Sequence, residues 1–197
     1  MSGVSITTQF FKHPLTTGAI AASSPRLARA MTRGIGLETA SLVVELGPGT
    51  GAITRSILRL MAPGTRLVAI EINPEFAARL EAAHRDDRLT VVRGAASDVA
   101  TVTGEPVHAV VSGLPWTVMP ERQRHRTLEA VAQVLKPHGR FTTFAYCHAA
   151  WTPPARRFAS ELRSHFATVE RTAVVWPNLP PAFVYRAGHA GHQRAER

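Results

Sequence analysis

One cysteine, Cys147, stands among 197 residues. That excludes an internal disulfide and a cysteine-built metal site, and it fits a reducing compartment. No apolar run approaches the roughly eighteen residues that cross a bilayer, and no secretory signal pattern heads the chain; a cytoplasmic protein is the expectation. Nine histidines show no metal-ligand spacing, so no metal is expected. Repeats, linkers and low-complexity stretches are missing, which leaves one continuous domain. Acids are scarce: 14 against 23 bases give a net charge of +9. Lysine is scarcer still, since 21 of the 23 bases are arginine. Such a balance favours nucleic acid or an anionic membrane surface as partner, and the planar guanidinium suits phosphate in either.

What is present centres on residues 42–51, Leu-Val-Val-Glu-Leu-Gly-Pro-Gly-Thr-Gly. The apolar run Leu42, Val43, Val44 suits a strand buried on both faces. Ala52, Ile53, Ile57 and Leu58 then follow helical spacing. Gly47, Gly49 and Gly51 lie between, where a strand-to-helix turn against a ligand needs positive φ and no Cβ. A second apolar strand ends in Glu71, twenty residues after Gly51. A carboxylate at that strand tip is where a nucleotide-binding α/β unit places its ribose acceptor. The spacing is not the dinucleotide G-x-G-x-x-G, and Glu45 sits two residues before the first glycine. There it would repel a pyrophosphate and attract an α-amino group and a sulfonium.

The remaining pattern alternates strands and helices. Strands are expected at 42–46, 66–72, 89–93, 109–112 and 140–146. Helices are expected at 51–61, from Asn73-Pro74-Glu75 to about 84, at 120–135 with Pro137-His138-Gly139 ending it, and at 154–166. Two last β segments, 168–176 and 182–187, have no helix between them. Ser24-Pro25 reads as an N-cap and first-turn pair opening an earlier helix with Leu27, Ala30 and Met31 inward. The expected fold class is α/β, a seven-stranded mostly parallel sheet with an antiparallel C-terminal edge hairpin and helices on both faces. Residues 1–36 are expected as an N-terminal arm and helix, 37–190 as the main domain and 191–197 as a flexible tail.

E-x-G-x-G-x-G with Glu71 resembles motif I of the class I S-adenosyl-L-methionine-dependent methyltransferases, which have a Rossmann-like fold. Ser112-Gly113-Leu114-Pro115-Trp116, after the fourth strand, resembles the acceptor loop of those that methylate amino nitrogens. Two families share these motifs: the ribosomal RNA adenine dimethylases and the soluble-type bacterial phospholipid N-methyltransferases. Three features favour the second. Gly18-Ala19-Ile20-Ala21-Ala22-Ser23-Ser24 with Leu27-Ala28 is similar to its G-A-I-x-P-S-S-x-x-L-A signature, with Ala22 in place of proline. Ser112 to Pro115 matches its S-G-L-P, and Asn178-Leu179-Pro180-Pro181-Ala182 is similar to its N-x-P-P-A. A short tail also follows the last strand, where the RNA enzymes append a helical domain.

The resemblance implies S-adenosyl-L-methionine as cofactor, with Ser24, Glu45, Gly47, Pro48, Gly49, Thr50, Gly51, Glu71, Ile72, Ala95, Ala96 and Ser112 around it. Ser112, Gly113, Leu114, Pro115 and Trp116 would handle the acceptor, the carbonyls of Gly113 and Leu114 accepting from the amine and Trp116 meeting a cation or packing in the core. Gly94-Ala95-Ala96 stands where the family has Gly-Asp-Ala, so adenine falls to backbone groups at Ala96 or to Asp98. A protonated amine must lose its proton, with Tyr146 and His148 as candidate bases. Phe10, Phe11 and Lys12 are expected to touch membrane or substrate, or to pack on the core. Arg122, Arg126, Arg156 and Arg157, with Arg124 and His125 nearby, would rim the site. The implied partners are phosphatidylethanolamine and anionic membrane lipids, met by a monomer at the inner membrane face. Open alternatives are an RNA adenine N6-methyltransferase, a small-molecule amine methyltransferase, and a non-catalytic module binding cofactor or nucleic acid.

Overall fold

The computed structural model describes residues 23–189. Phe10, Phe11, Lys12, the first part of the N-terminal signature and the expected tail lie outside that range. Seven strands form one sheet in the order β3-β2-β1-β4-β5-β7-β6. β1 (Leu42–Leu46) is buried at every position, as a central parallel strand must be. It pairs in parallel with β2 (Arg66–Glu71) and β4 (Val107–Ser112). β3 (Leu89–Arg93) extends the parallel set beyond β2, and β5 (Leu135–Tyr146) extends it beyond β4. β7 (Ala182–Gly188) runs antiparallel to both β5 and β6 (Thr168–Arg171). The last strand is therefore inserted inside the edge, and it alone is reversed. The strand expected over 168–176 stops at Arg171, with Val175 joined to Ala182 by an isolated bridge.

Helices cover both faces. On one side α1 (Pro25–Thr32) and α2 (Ala52–Leu60) bury Leu27, Met31, Ile53 and Ile57 against Val43, Val111 and Val184. Ser24 caps α1 by accepting from Leu27 N–H at 3.2 Å, with Pro25 in the first turn. The buried Thr142 hydroxyl donates to the Met31 carbonyl at 2.9 Å, tying α1 to β5. α3 (Pro74–Ala83) packs near β2 and β3, capped by Asn73. On the opposite face α4 (Val99–Thr103), α5 (Glu121–Val134) and α6 (Pro153–His165) cover Leu46, Val110, Trp116 and Phe141.

Two departures from the sequence expectation have local causes. Pro137-His138-Gly139 does not separate α5 from β5. The helix ends at Leu135, whose ψ of 133° is already extended, and Leu135 pairs with Val107. The register then shifts so that Arg140 meets Ala109. A Cβ at Gly139 would lie 2.9 Å from Leu135 Cδ2 and 3.0 Å from the Lys136 carbonyl, so the chain folds back tightly at a residue without one. Second, α4 was not expected, because Val-Ala-Thr-Val-Thr carries β-branched residues that disfavour helix. Burial of Val99 and contact with α5 override that preference, and Gly104 at φ 64° ends the turn.

Phe141 is fully buried mid-sheet, stacked on Phe166 and edge-on to Trp116. Phe141→Ala is expected to lose about 3–5 kcal/mol in urea unfolding, the range for an emptied aromatic site. A loss below about 1 kcal/mol would place the weight of this core elsewhere.

Candidate functional site

The carboxyl ends of the parallel strands open together. Gly47 N–H donates to the Ile70 carbonyl at 2.9 Å, Gly113 N–H to Leu46 at 2.8 Å and Gly94 N–H to Glu71 at 3.1 Å. The three loops after β1, β4 and β3 thus leave the sheet in register. Gly47, Gly49 and Gly51 all have positive φ. Beyond φ, a Cβ at Gly47 would lie 2.9 Å from Leu114 Cδ2, and one at Gly113 would lie 2.7 Å from the Gly47 carbonyl. The loops after β1 and β4 are therefore close-packed against each other, and glycine is what permits it.

Two adjoining cavities lie over these loops. The larger, about 170 Å³, is walled by Gly47 to Thr50, Ala52, Ile53, Gly113 to Val118, Phe76, Phe144 to Tyr146, Ala149, Ala155 and Phe158, with Ser23 and Glu71. The smaller, about 20 Å³, is walled by Gly47, Ile70, Glu71, Ile72, Gly94, Ala96, Leu114, Met119 and Gln123. Gly47, Glu71 and Leu114 belong to both. Neither wall contains Lys, Arg or His among the described residues, while Ala52 and Ile53 of the first turn of α2 line the larger one. A pyrophosphate would find no cation here. A ligand with a sulfonium, an amino-acid end and a ribose finds an apolar wall, a glycine loop and one carboxylate, so the residues fit S-adenosyl-L-methionine. Gly47 to Thr50 would hold its amino-acid end, Glu71 its ribose, and Ile72, Gly94 and Ala96 its adenine.

Glu71 occupies the junction. Its Oε2 accepts from Gly49 N–H at 3.2 Å and its Oε1 from Asn73 N–H at 2.9 Å. Burial raises its pKa, opposed by those N–H groups and that of Ile72. Glu45 is placed differently from the expectation. It is fully buried behind the glycine loop and absent from both cavity walls. Oε2 accepts from the Thr54 hydroxyl at 2.6 Å, and Oε1 is buried without a partner. Burial lifts its pKa to about 8, Thr54 opposing and the Glu71 charge adding to the rise. Burial therefore favours the neutral carboxyl over the expected anion.

Several other expected residues support the site from behind. Ser112 is buried and its Oγ accepts from Leu114 N–H at 3.3 Å, shaping the turn after β4. Ser24 is spent on the α1 cap, and its neighbour Ser23 reaches the wall. Gly51 opens α2 in the left-handed region, where a Cβ would meet Leu80. Ala95 and the exposed Asp98 are outside both walls, while Ala96 is in one. Trp116 is 2% exposed, stacked on Phe158 at 5.3 Å, with its ring N–H donating to Thr143 at 2.9 Å. Its ring face is covered, so it contributes an edge to the wall and no open cation platform. The Leu114 carbonyl accepts from Trp116 N–H at 3.0 Å, leaving Gly113 as the carbonyl not engaged in the turn.

Arg122, Arg126, Arg156 and Arg157 are exposed at the starts of α5 and α6 and outside the walls. Arg124 is buried and ion-paired with Glu161, Nε to Oε2 at 2.7 Å, so it serves the α5–α6 packing. His125 stacks edge-on with His165. Tyr146 lines the larger cavity and His148 does not, although their rings stack at 5.8 Å. Burial raises the Tyr146 pKa, which keeps the phenol protonated as a donor. Sequence reasoning missed Phe76, Phe144, Phe158, Met119 and Gln123. Phe144 alone carried a usable signal, standing two residues before Tyr146 on the same strand.

The buried Glu45 gives a pH prediction. Its pKa is raised in the fold from 4.5 to about 8, so its stability contribution is complete below pH 4.5 and is lost as pH rises towards 8. Glu45→Gln keeps a neutral polar group, and the variant is expected to gain on the wild type progressively across that interval in urea unfolding. A constant difference from pH 4.5 to 8 would mean that Glu45 ionises normally.

Comparison with known proteins agrees with this geometry. Residues 43–139 match the family model described as a methyltransferase domain. The ornithine lipid N-methyltransferase of Singulisphaera acidiphila is 36% identical over 183 residues, 90% of this chain and 91% of that protein. Ribosomal RNA small subunit methyltransferase A of Rhodococcus opacus is 40% identical over 95 residues, only 44% of this chain and 30% of that protein. Among solved structures, the Aeropyrum pernix fibrillarin bound to S-adenosyl-L-methionine superposes with a TM-score of 0.64, covering 82% of this chain and 74% of that one at 16% identity. The glycine loop, the Glu71 junction and an end-to-end relative agree: the chain belongs to the class I S-adenosyl-L-methionine-dependent methyltransferases, in the family of that lipid enzyme.

Proposed function

We propose that the chain methylates the amino nitrogen of a membrane aminolipid, phosphatidylethanolamine and its methylated derivatives, at an anionic bilayer surface. The observation that carries this reading is the relative aligned over 90% of the chain, which is named an ornithine lipid N-methyltransferase. The two Rhodococcus ribosomal relatives align over 44% and 42% of the chain and over 30% and 29% of their own length.

The acceptor side of the cavity supports it. Phe144, Tyr146, Phe158 and Phe76 line the larger cavity with aromatic surface. A substituted ammonium, which gains methyls and keeps its charge, is favoured against such rings over one that is bulk-hydrated. The bound cofactor supplies an electrophilic methyl on its sulfonium. The chain's own part is to present the nitrogen lone pair: the Gly113 carbonyl accepts from the amine, and the apolar wall excludes water from it. Near-attack positioning of this kind is worth roughly 7–11 kcal/mol in favourable systems. An ammonium with a pKa near 10 must first be deprotonated. Among the described residues Glu71 is the one carboxylate that lines the cavity, so the proton must leave by way of the cavity mouth before the nitrogen is enclosed, with the Tyr146 hydroxyl in the wall as the candidate relay. Outside, Arg122, Arg126, Arg156 and Arg157 stand where each base contributes about 1 kcal/mol towards an anionic surface.

Radiolabelled methyl from S-adenosyl-L-methionine, offered with vesicles of phosphatidylethanolamine or ornithine lipid and with ribosomal RNA, tests the reading. Label is expected in phosphatidylethanolamine, growing with the anionic lipid fraction. Label confined to ornithine lipid would change the acceptor; label in RNA, or only in soluble amines, would overturn the reading.

A further inference from the structure

Three large apolar side chains stand almost wholly in solvent: Trp151 at 78%, Trp176 at 71% and Leu179 at 80% exposed. A single exposed apolar residue is ordinary. These three share one edge of the molecule. Tyr146 and Ala182 are the paired ends of β5 and β7, and the three residues lie in the two segments just beyond that pair. Cys147 N–H donates to the Pro181 carbonyl at 2.9 Å, fastening the segments together. Trp151 stands between Ala149 and Ala155, both in the wall of the larger cavity. Val118, also in that wall, is itself 52% exposed.

Charge around the cluster has one sign. Neither 147–157 nor 172–181 contains an aspartate or glutamate, and the first carries Arg156 and Arg157, both exposed. Arg156 Nε donates to the Trp151 carbonyl at 3.0 Å, which holds that guanidinium at the Trp151 backbone. Indole rings prefer the boundary between headgroups and acyl chains, and arginines beside them meet lipid phosphate. Stacking on RNA bases would use the rings and the arginines but gives no role to Leu179 or Val118.

We propose that Trp151, Trp176 and Leu179 insert into the headgroup region of an anionic bilayer, with Arg156 and Arg157 against its phosphates, so that the cavity mouth faces the lipid. The inference rests on the lipid-acceptor reading and adds the docking face, which keeps an acceptor amine from having to cross open water.

The test uses the full chain and vesicles of phosphatidylglycerol and phosphatidylcholine, plain or brominated in the acyl chains. Bromolipid is expected to quench the wild type but not Trp151→Phe/Trp176→Phe, which retains only the buried Trp116. Trp151→Ala/Trp176→Ala/Leu179→Ala is expected to bind vesicles at least tenfold more weakly while keeping wild-type affinity for S-adenosyl-L-methionine. Vesicle binding within twofold of wild type, or absent quenching, would overturn the docking face. Shielding of both tryptophans from aqueous iodide in the free protein would also overturn it, because the N-terminal segment or a second copy would then cover them. Quenching by RNA with none by vesicles would hand the face to nucleic acid. Methylation of detergent-dispersed lipid by the wild type separates the two readings. If it proceeds while the triple variant still binds vesicles, docking alone falls. If it fails while the triple variant loses vesicles, the acceptor reading alone falls.

Discussion

Everything at the carboxyl edge of the sheet depends on the Glu71 carboxylate. One oxygen holds the Gly49 N–H and the other the Asn73 N–H, so the tip of β2, the glycine loop and the start of α3 are fixed by one buried group. Charge-assisted bonds to backbone N–H groups are about twice as strong as neutral ones, and they leave the loop little freedom to lose on binding. Because Glu71 also stands where the two cavities meet, the group that orders the loop is the one a ribose hydroxyl would reach. Glu45, a few residues away in sequence from the same loop, carries a different burden. It lies beneath the loop bonded to Thr54, where burial disfavours its charged form, and it ties β1 to α2.

Charge is segregated by depth. The cavity walls hold no basic side chain among the described residues, while the arginines stand outside at the starts of α5 and α6. A cationic cofactor and an acceptor that becomes cationic both favour an apolar, aromatic interior. An anionic surface favours the exterior. This arrangement accounts for a chain that is strongly basic yet keeps its bases away from its ligand, and it fits the proposed aminolipid better than a phosphate-rich acceptor drawn deep into the site.

Most of the fold was legible because its signals are local. Leu42-Val43-Val44, the three glycines and the acid at Glu71 announce a strand, a turn and a second strand tip, and the structure puts them there. The helix caps at Ser24 and Asn73 were equally plain. What escaped was decided by long-range packing. Whether Glu45 meets ligand or Thr54 depends on how α2 lies over β1, which no spacing records. Trp116 became a wall edge because Phe158, forty-two residues on, covers its face. Arg124 reads like its neighbours Arg122 and Arg126, but it is buried because α6 brings Glu161 to it. The short α4 formed against its propensity under contact with α5.

Calorimetric titration of S-adenosyl-L-methionine into the wild type and Glu71→Gln tests the central role of that carboxylate most directly. The account predicts one cofactor per wild-type chain and at least tenfold weaker binding in the variant, the scale of one lost charged hydrogen bond at about 1.5–3 kcal/mol. Equal affinity in the two proteins would contradict it, since the junction of the two cavities would then hold no ligand.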